Sequence, residues 1–325
     1  MKHLLTFFIV AFFWNSSFSQ EFQFTKKETS FKNGDITLYA DVYTPNNPKK
    51  EKIGIAIIQG AGKSDRSNVW SFLNAEFLAE NGYYVLLPDK RGCGKSEGDW
   101  KQTSFFELAD DAAISAAHLK KLMGLEKVGL MGLSQGGKIA PMAASKIKSD
   151  INFVIDIVGS AKPISEGIIY EMTQTAMEDG LNPEEIKEML GLHVLLDEYI
   201  FSEERNFKPL KQKLEELKKS TWSKFAAEYP NTSDSWVWDF AKNNYAIDIM
   251  DYWSVLKQDV FFAFGANDHN VATYDNVYYI QKGLYAAKKT NYEMHVYPTG
   301  HGLYQSGTTF HIDFRKDLLN WLDKR

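Results

Sequence analysis

Three residues of this chain have the types and surroundings needed for nucleophilic acyl transfer: Ser134, Asp268 and His301. A serine hydroxyl is hardly ionised near neutral pH, so it needs a base to take its proton, and the base needs an acid to orient it. Ser134 stands in Gly132-Leu133-Ser134-Gln135-Gly136, after the apolar run Lys127-Val128-Gly129-Leu130-Met131 and before Gly137-Lys138-Ile139-Ala140, which reads as a helix start. A serine at a sharp strand-to-helix turn adopts a strained backbone, and glycines two residues before and after it leave room for the turn and expose the hydroxyl. In such an arrangement the acid and then the base sit on loops after later strands. Phe264-Gly265-Ala266-Asn267-Asp268 follows a buried strand and offers Asp268, and Tyr297-Pro298-Thr299-Gly300-His301-Gly302 follows the last strand and offers His301.

The other candidates fit less well. Asp248, Asp251 and Asp259 precede the strand that Asp268 follows, and Asp156 lies inside a strand, which leaves it a weaker substitute. His295 falls inside a strand run and His311 at the start of the last helix. His118 and His193 lie in helical stretches, and His269 adjoins the proposed acid, too early for the base. Cys93, the single cysteine, has no turn of its own to present it and reads as a buried or loop thiol. No His/Cys/Asp cluster has metal-ligand spacing and there is no His-Glu-x-x-His, so no metal is expected. Gly60 to Ser64 lacks the spacing of a phosphate-binding loop. No cofactor is expected.

The elements that must hold these residues alternate. Ile36 to Val42 alternates and reads as an early antiparallel strand, and Ile53 to Ile58 as a buried central strand. A helix over Trp70 to Glu80, a strand over Tyr83 to Leu87 and a long helix over Phe105 to Met123 follow. Strands over Val128 to Met131, Phe153 to Val158, Val260 to Phe264 and Tyr292 to Tyr297 complete the pattern, with helices over Asn276 to Lys288 and Phe314 to Leu322. Alternation of this kind implies an α/β fold, a mostly parallel central sheet with helices on both faces. Ligands of such sheets lie at the carboxyl ends of the strands, where all three residues fall.

From about Lys162 to Tyr252 the rhythm breaks. Asn182-Pro183-Glu184-Glu185 is a helix start, Leu210 to Leu217 is charged and helical, and Trp222, Trp236, Trp238 and Trp253 make the region aromatic. This reads as a helical insertion over the functional edge, its tryptophans either packing its core or lining a pocket. The expected organisation is an α/β core over 21–161 and 253–325, with a helical cap over 162–252.

Residues 1–20 read differently: Lys2 and His3, then an apolar run from Leu4 to Trp14 too short to span a bilayer, then small polar residues to Ser19. That is the pattern of a secretory signal peptide, so export to a bacterial periplasm or the medium is expected, without stable membrane insertion after cleavage. With 325 residues, 44% hydrophobic, the chain can bury a large core. A formal net charge of -5 and the absence of a basic stripe exclude a general nucleic-acid binder.

Taken together, these residues resemble the α/β-hydrolase superfamily, over nearly all of the chain after the signal segment. Gln59-Gly60-Ala61-Gly62 resembles its His-Gly-x-Gly oxyanion turn, with Gln59 in the histidine's place. Asp89-Lys90-Arg91-Gly92-Cys93-Gly94-Lys95-Ser96 resembles its Asp-x-Arg-Gly-x-Gly-x-Ser loop. Gly60 to Arg66 is similar to a Gly-x-Gly-x-x-Asp-Arg turn of bacterial exported esterases with helical caps. The resemblance implies an oxyanion hole made by the backbone N–H groups of Ala61 and Gln135. It also implies a serine esterase acting on a small-molecule carboxylic ester. A peptidase or amidase using the same three residues is the nearest alternative, and a non-catalytic binding protein on the same scaffold a remote one.

Overall fold

The computed structural model describes residues 23–325 apart from 147–149, 221–222 and 224–228; the signal segment read at 1–20 and Trp222 lie outside the described residues. An eight-stranded sheet runs in the order β1-β2-β4-β3-β5-β6-β7-β8. Its strands are β1 (Phe24–Asn33), β2 (Ile36–Pro45), β3 (Ile53–Ile58), β4 (Tyr84–Pro88), β5 (Lys127–Leu133), β6 (Phe153–Ile157), β7 (Asp259–Gly265) and β8 (Tyr292–Tyr297). Strands β3 to β8 are mutually parallel where they pair, while β2 runs antiparallel to both β1 and β4. This is the mostly parallel α/β sheet that the strand-helix rhythm implies, in the α/β-hydrolase arrangement that the resemblance implies.

Residue chemistry explains the layout. In β3, the run Ile-Gly-Ile-Ala-Ile is buried on both faces, as a central parallel strand requires. In β1, Phe24 and Phe31 are buried while Lys26, Lys27 and Glu28 face water. Such a charged strand at the sheet edge resists pairing with another chain. A turn with Gly34 at φ 59° joins β1 to β2.

Helices α1 (Val69–Glu80), α2 (Phe105–Met123) and α3 (Gln135–Ala144) alternate with the strands. Helix α2 opens on a reciprocal cap between Ser104 and Glu107, and it stops at Gly124, which is left-handed with φ 61°. Apolar side chains form two layers, one on each side of the sheet, with Leu130, Phe262 and Trp253 in one and Met131, Phe261 and Trp321 in the other.

Between β6 and β7 lie α4 (Ile164–Glu178), α5 (Pro183–Phe201), α6 (Phe207–Leu217), α7 (Trp236–Asn244) and the short α8 (Met250–Trp253), and no strand among the described residues. Asn182 caps α5 reciprocally with Glu185, and Pro183 takes the first helical position, where no amide hydrogen is needed. These helices enclose an apolar centre of their own, including Met189, Leu192, Leu196, Leu214 and Trp238. Helix α9 (Thr273–Ala286), a small hairpin of β9 (Tyr304–Ser306) and β10 (Thr309–Phe310), and α10 (Ile312–Leu322) complete the chain. No helix among the described residues is long and apolar enough to cross a membrane.

Candidate active site

Strand β5 runs directly into Ser134, whose φ of 53° and ψ of -113° are strained for a residue with a β-carbon, and the next residue begins α3. The flanking glycines are sterically required. A Cβ on Gly132 would sit 2.2 Å from the Gly136 carbonyl oxygen, and one on Gly136 would sit 2.1 Å from that of Ile58. The turn is pinned by Ser134 N–H to Ile157 O at 2.9 Å and Gly137 N–H to Ser134 O at 2.8 Å. The Ser134 side chain caps nothing in the helix it precedes. As the first residue of α3, Gln135 has a peptide N–H with no acceptor within the helix.

The second turn leaves β3. Gln59, where a histidine is usual, is buried and donates from Nε2 to Pro88 O at 2.5 Å, while its Oε1 accepts the Ser64 hydroxyl. The side chain thus ties the Gly60-Ala61-Gly62 turn to the end of β4. The Asp89 to Ser96 loop is no free surface loop, because Asp89, Cys93 and Ser96 are all buried. Asp89 Oδ1 accepts Arg66 N–H and Nε–H, both at 3.0 Å, and Oδ2 accepts Lys95 N–H at 2.9 Å. Arg66 reaches on to Asp41 at 2.7 Å and Glu28 at 3.0 Å. Burial pushes the Cys93 thiol up, the opposite of what a nucleophilic thiolate needs.

Sequence reasoning passed over Lys90, inside that loop. Its ammonium donates to Gly60 O, to Gly62 O at 3.0 Å and to Gln135 Oε1 at 3.4 Å. Three protons meet three acceptors, which together span both turns. Burial brings this ammonium down to about 8.

Asp268 and His301 come together from the loops after β7 and β8. His301 Nδ1 lies 2.8 Å from Asp268 Oδ2, and the Asp268 side chain is 0% exposed. The remaining oxygen, Oδ1, accepts N–H from Asn270 at 2.8 Å and Val271 at 3.0 Å. That network fixes the carboxylate independently of the histidine. A Cβ on Gly265 would sit 2.4 Å from Gly300 O, so the two loops pass in contact. The Trp70 ring packs on His301 with centroids 5.5 Å apart. Ser134 and His301 share no hydrogen bond in this structure; what they share is the carboxyl edge of the sheet.

The rival groups are engaged elsewhere. His269 pairs with Glu178, His118 bonds Thr29 at 2.9 Å, and His295 stacks on Phe261 at 5.1 Å. His311 caps the last helix, and His193 is buried in the insertion. Asp248 accepts the Tyr279 hydroxyl at 2.5 Å, and Asp259 pairs with Arg325 at 2.5 Å. Asp156 is buried in β6, accepts Gly159 N–H at 2.9 Å, and is pushed up to about 7 by burial.

A cavity of about 450 Å³ opens at Ser134. Ala61, Gln135, Lys90 and Lys138 line it from the sheet side, and Ile164, Ile168, Glu171, Trp236, Phe240 and Tyr245 from the insertion. The tryptophans divide between the two roles open to them. Trp236 lines the cavity and meets Trp100 edge to face at 6.2 Å. Trp238 is buried within the insertion, with its indole N–H on Thr232 O at 2.8 Å, and Trp253 is buried under the sheet.

Comparison with known proteins bears on the family and the fold. The model of the S15 family, described as X-Pro dipeptidyl-peptidase, matches residues 33–303. A Pyrococcus furiosus esterase is similar in structure, with a TM-score of 0.60 and 18% identity, over 93% of this chain and 91% of that one. So is a Mycobacterium smegmatis proline iminopeptidase, with a TM-score of 0.57 and 16% identity, over 92% of this chain and 98% of that one. Est1E from Butyrivibrio proteoclasticus, with ferulic acid bound, gives a TM-score of 0.58 at 18% identity, over 91% of this chain and 98% of that one. Among curated sequences, an uncharacterized Pseudomonas aeruginosa protein is 24% identical over 176 residues, which are 52% of this chain and 43% of that one. The match therefore spans less than half the length of that relative. With a family match over most of its length on an α/β-hydrolase fold, the chain belongs to the S15 peptidase family.

Proposed function

We propose that this protein hydrolyses carboxylic esters through an acyl-enzyme on Ser134. The observation that carries the reading is the largely apolar cavity opening at Ser134, on the sheet edge that also holds the His301–Asp268 pair. Ser134 Oγ attacks the ester carbonyl while His301 Nε2 takes its proton, and Asp268 holds Nδ1–H and stabilises the imidazolium. The negative charge on the tetrahedral oxygen falls to the N–H groups of Ala61 and Gln135, fixed before the reaction begins. His301 returns the proton to the departing alcohol, and water then releases the acid by the same steps. A serine–histidine hydrogen bond that is absent without substrate commonly tightens only in the complex. The helices of 162–252 serve as the cap that selects the acyl and alcohol groups.

A peptidase is the second reading. It is favoured by Glu171, a carboxylate on the cavity wall able to hold a substrate ammonium, and by the family's description. Nitrophenyl esters of graded chain length, run against aminoacyl and dipeptidyl nitroanilides, separate the two. The ester reading expects the esters to give the higher kcat/KM after correction for their intrinsic reactivity. A clear preference for nitroanilides with a free amino terminus replaces it with the peptidase.

Lys90 has a predicted part in this chemistry. Its ammonium holds the carbonyls on either side of the Ala61 N–H and the Gln135 side chain. Lys90→Met should therefore lower kcat by roughly 100- to 1,000-fold, the scale of losing one oxyanion donor, with KM changing less. Only the protonated amine fills all three acceptors, so wild-type kcat should fall as pH rises through about 8. The variant should lack that alkaline limb. A kcat within twofold of wild type and an unchanged pH profile would remove Lys90 from the mechanism.

A further inference from the structure

Lys138 is a buried charge on the cavity wall that ester hydrolysis leaves unused. It lies in the first turn of α3, four residues after Ser134, and is 7% exposed. Its ammonium donates to a single acceptor, the Lys162 carbonyl oxygen, and forms no ion pair among the described residues. The charges of Asp156 and Asp248 favour the protonated form from a distance, but neither pairs with it directly: Asp156 receives Gly159 N–H, and Asp248 receives Met250 N–H and the Tyr279 hydroxyl. A cation so enclosed is costly unless it is paired. Its position adds to the cost, because the N-terminal turn of a helix carries positive partial charge and disfavours a second one. Burial brings Lys138 down to about 8, which leaves it mostly protonated at neutral pH. Lys90 offers no comparable charge, since its three protons are already matched.

A second donor lines the same cavity. The segment 159–162 packs on the start of α3: a Cβ on Gly137 would sit 2.8 Å from Gly159 Cα, and Lys162 O accepts a hydrogen bond from the Lys138 ammonium. Ser160 lies between these two contacts, lines the same cavity, and its hydroxyl has no hydrogen bond among the described residues. One ammonium and one hydroxyl, each with donor capacity to spare, match the two oxygens of a carboxylate.

We propose that Lys138 and Ser160 form an anion subsite next to Ser134, and that the substrates of this enzyme carry a carboxylate in addition to the bond that is cleaved. The proposal rests on Ser134 being the nucleophile, and it holds whether that bond is an ester or an amide. The carboxylate can belong to the acyl group, as in a monoester of a dicarboxylic acid, or to the leaving group.

Two substrate arms test it. In the first, mono-nitrophenyl esters of glutaric, adipic and pimelic acids are each compared with the neutral ester of equal chain length. In the second, acetylated 4-hydroxybenzoate is compared with its methyl ester. The expected result is an anionic-to-neutral ratio of kcat/KM above about tenfold in at least one arm. Lys138→Met should lower that ratio by about tenfold or more, Lys138→Arg should restore most of it, and Ser160→Ala should lower it less. Ser160→Ala also serves as the probe if Lys138→Met does not fold. A ratio at or below one in both arms, or one that neither substitution changes, overturns the subsite. Labelling of Ser134 by a fluorophosphonate, run in parallel, separates the two failures. A labelled enzyme without anion preference loses only the subsite, whereas an enzyme that is neither labelled nor active loses both readings.

Discussion

Replacing Ser134 with alanine is expected to lower kcat for a nitrophenyl ester by on the order of 10⁶-fold, leaving the fold intact. The size follows from what the residue does in the proposed mechanism. Without Oγ there is no acyl-enzyme, and His301 has no proton to take. What survives is the activation of water by a preformed oxyanion site and cavity, which elsewhere retains about 10³- to 10⁴-fold over the uncatalysed rate. The fold should survive because the Ser134 hydroxyl supports no structure: it makes no cap bond, and the turn is held by its backbone N–H on Ile157 O and its carbonyl on Gly137 N–H. Alanine meets the same strained φ of 53° as serine. Thermal denaturation of the variant should therefore track wild type while turnover disappears. Loss of turnover with a matching collapse of the melting temperature would mean that the serine is structural.

Asp268→Asn should lower kcat by roughly 10⁴-fold with little change in KM. The carboxylate accepts at both oxygens, with Asn270 and Val271 on Oδ1 and His301 Nδ1 on Oδ2. An asparagine keeps its oxygen toward the two backbone N–H groups, because turning it would set two donors against two donors. Its NH₂ then faces His301 Nδ1 and forces the proton to Nε2, where it blocks the very nitrogen that must act as base. The loss comes from the wrong tautomer rather than from a displaced ring. NMR of the imidazole nitrogens should show the proton moved from Nδ1 to Nε2. A variant with kcat within tenfold of wild type would transfer the role of acid to another group.

Much of this site is legible in sequence because its constraints are local. The elbow needs glycines where Gly132 and Gly136 stand, since a Cβ at either would lie about 2 Å from a carbonyl oxygen. Asp268 follows a buried apolar strand and His301 a half-buried one parallel to it, which places both at one edge of the sheet. Elements with a polar pattern were harder to read. Strand β1 buries few residues at the sheet edge and so lacks the apolar alternation that marks β2. The short hairpin of β9 and β10 is too small to leave a periodic trace.

The two cavity lysines escaped notice for a different reason. Lys90 acts through carbonyls of a turn 28 and 30 residues away, a contact that only the sheet brings about. Lys138 did leave a trace: it is the one charge in Gln135-Gly136-Gly137-Lys138-Ile139-Ala140-Pro141-Met142, a helix otherwise buried almost throughout. A lone ammonium in an apolar helix start calls for an explanation that surface solvation does not give. Gln59 shows the converse. The departure from histidine was visible in sequence, but its consequence, a bridge from Pro88 O to the Ser64 hydroxyl, required the fold.

The central claim is that Ser134 is a nucleophile activated by the His301–Asp268 pair. Covalent labelling by a fluorophosphonate, read by mass spectrometry of the digested protein, tests it most directly. The account predicts one adduct, on the peptide containing Ser134, formed rapidly in wild type, slowed by several orders of magnitude in Asp268→Asn and absent in Ser134→Ala. Labelling that persists in Ser134→Ala, or an adduct on any other residue, would contradict it.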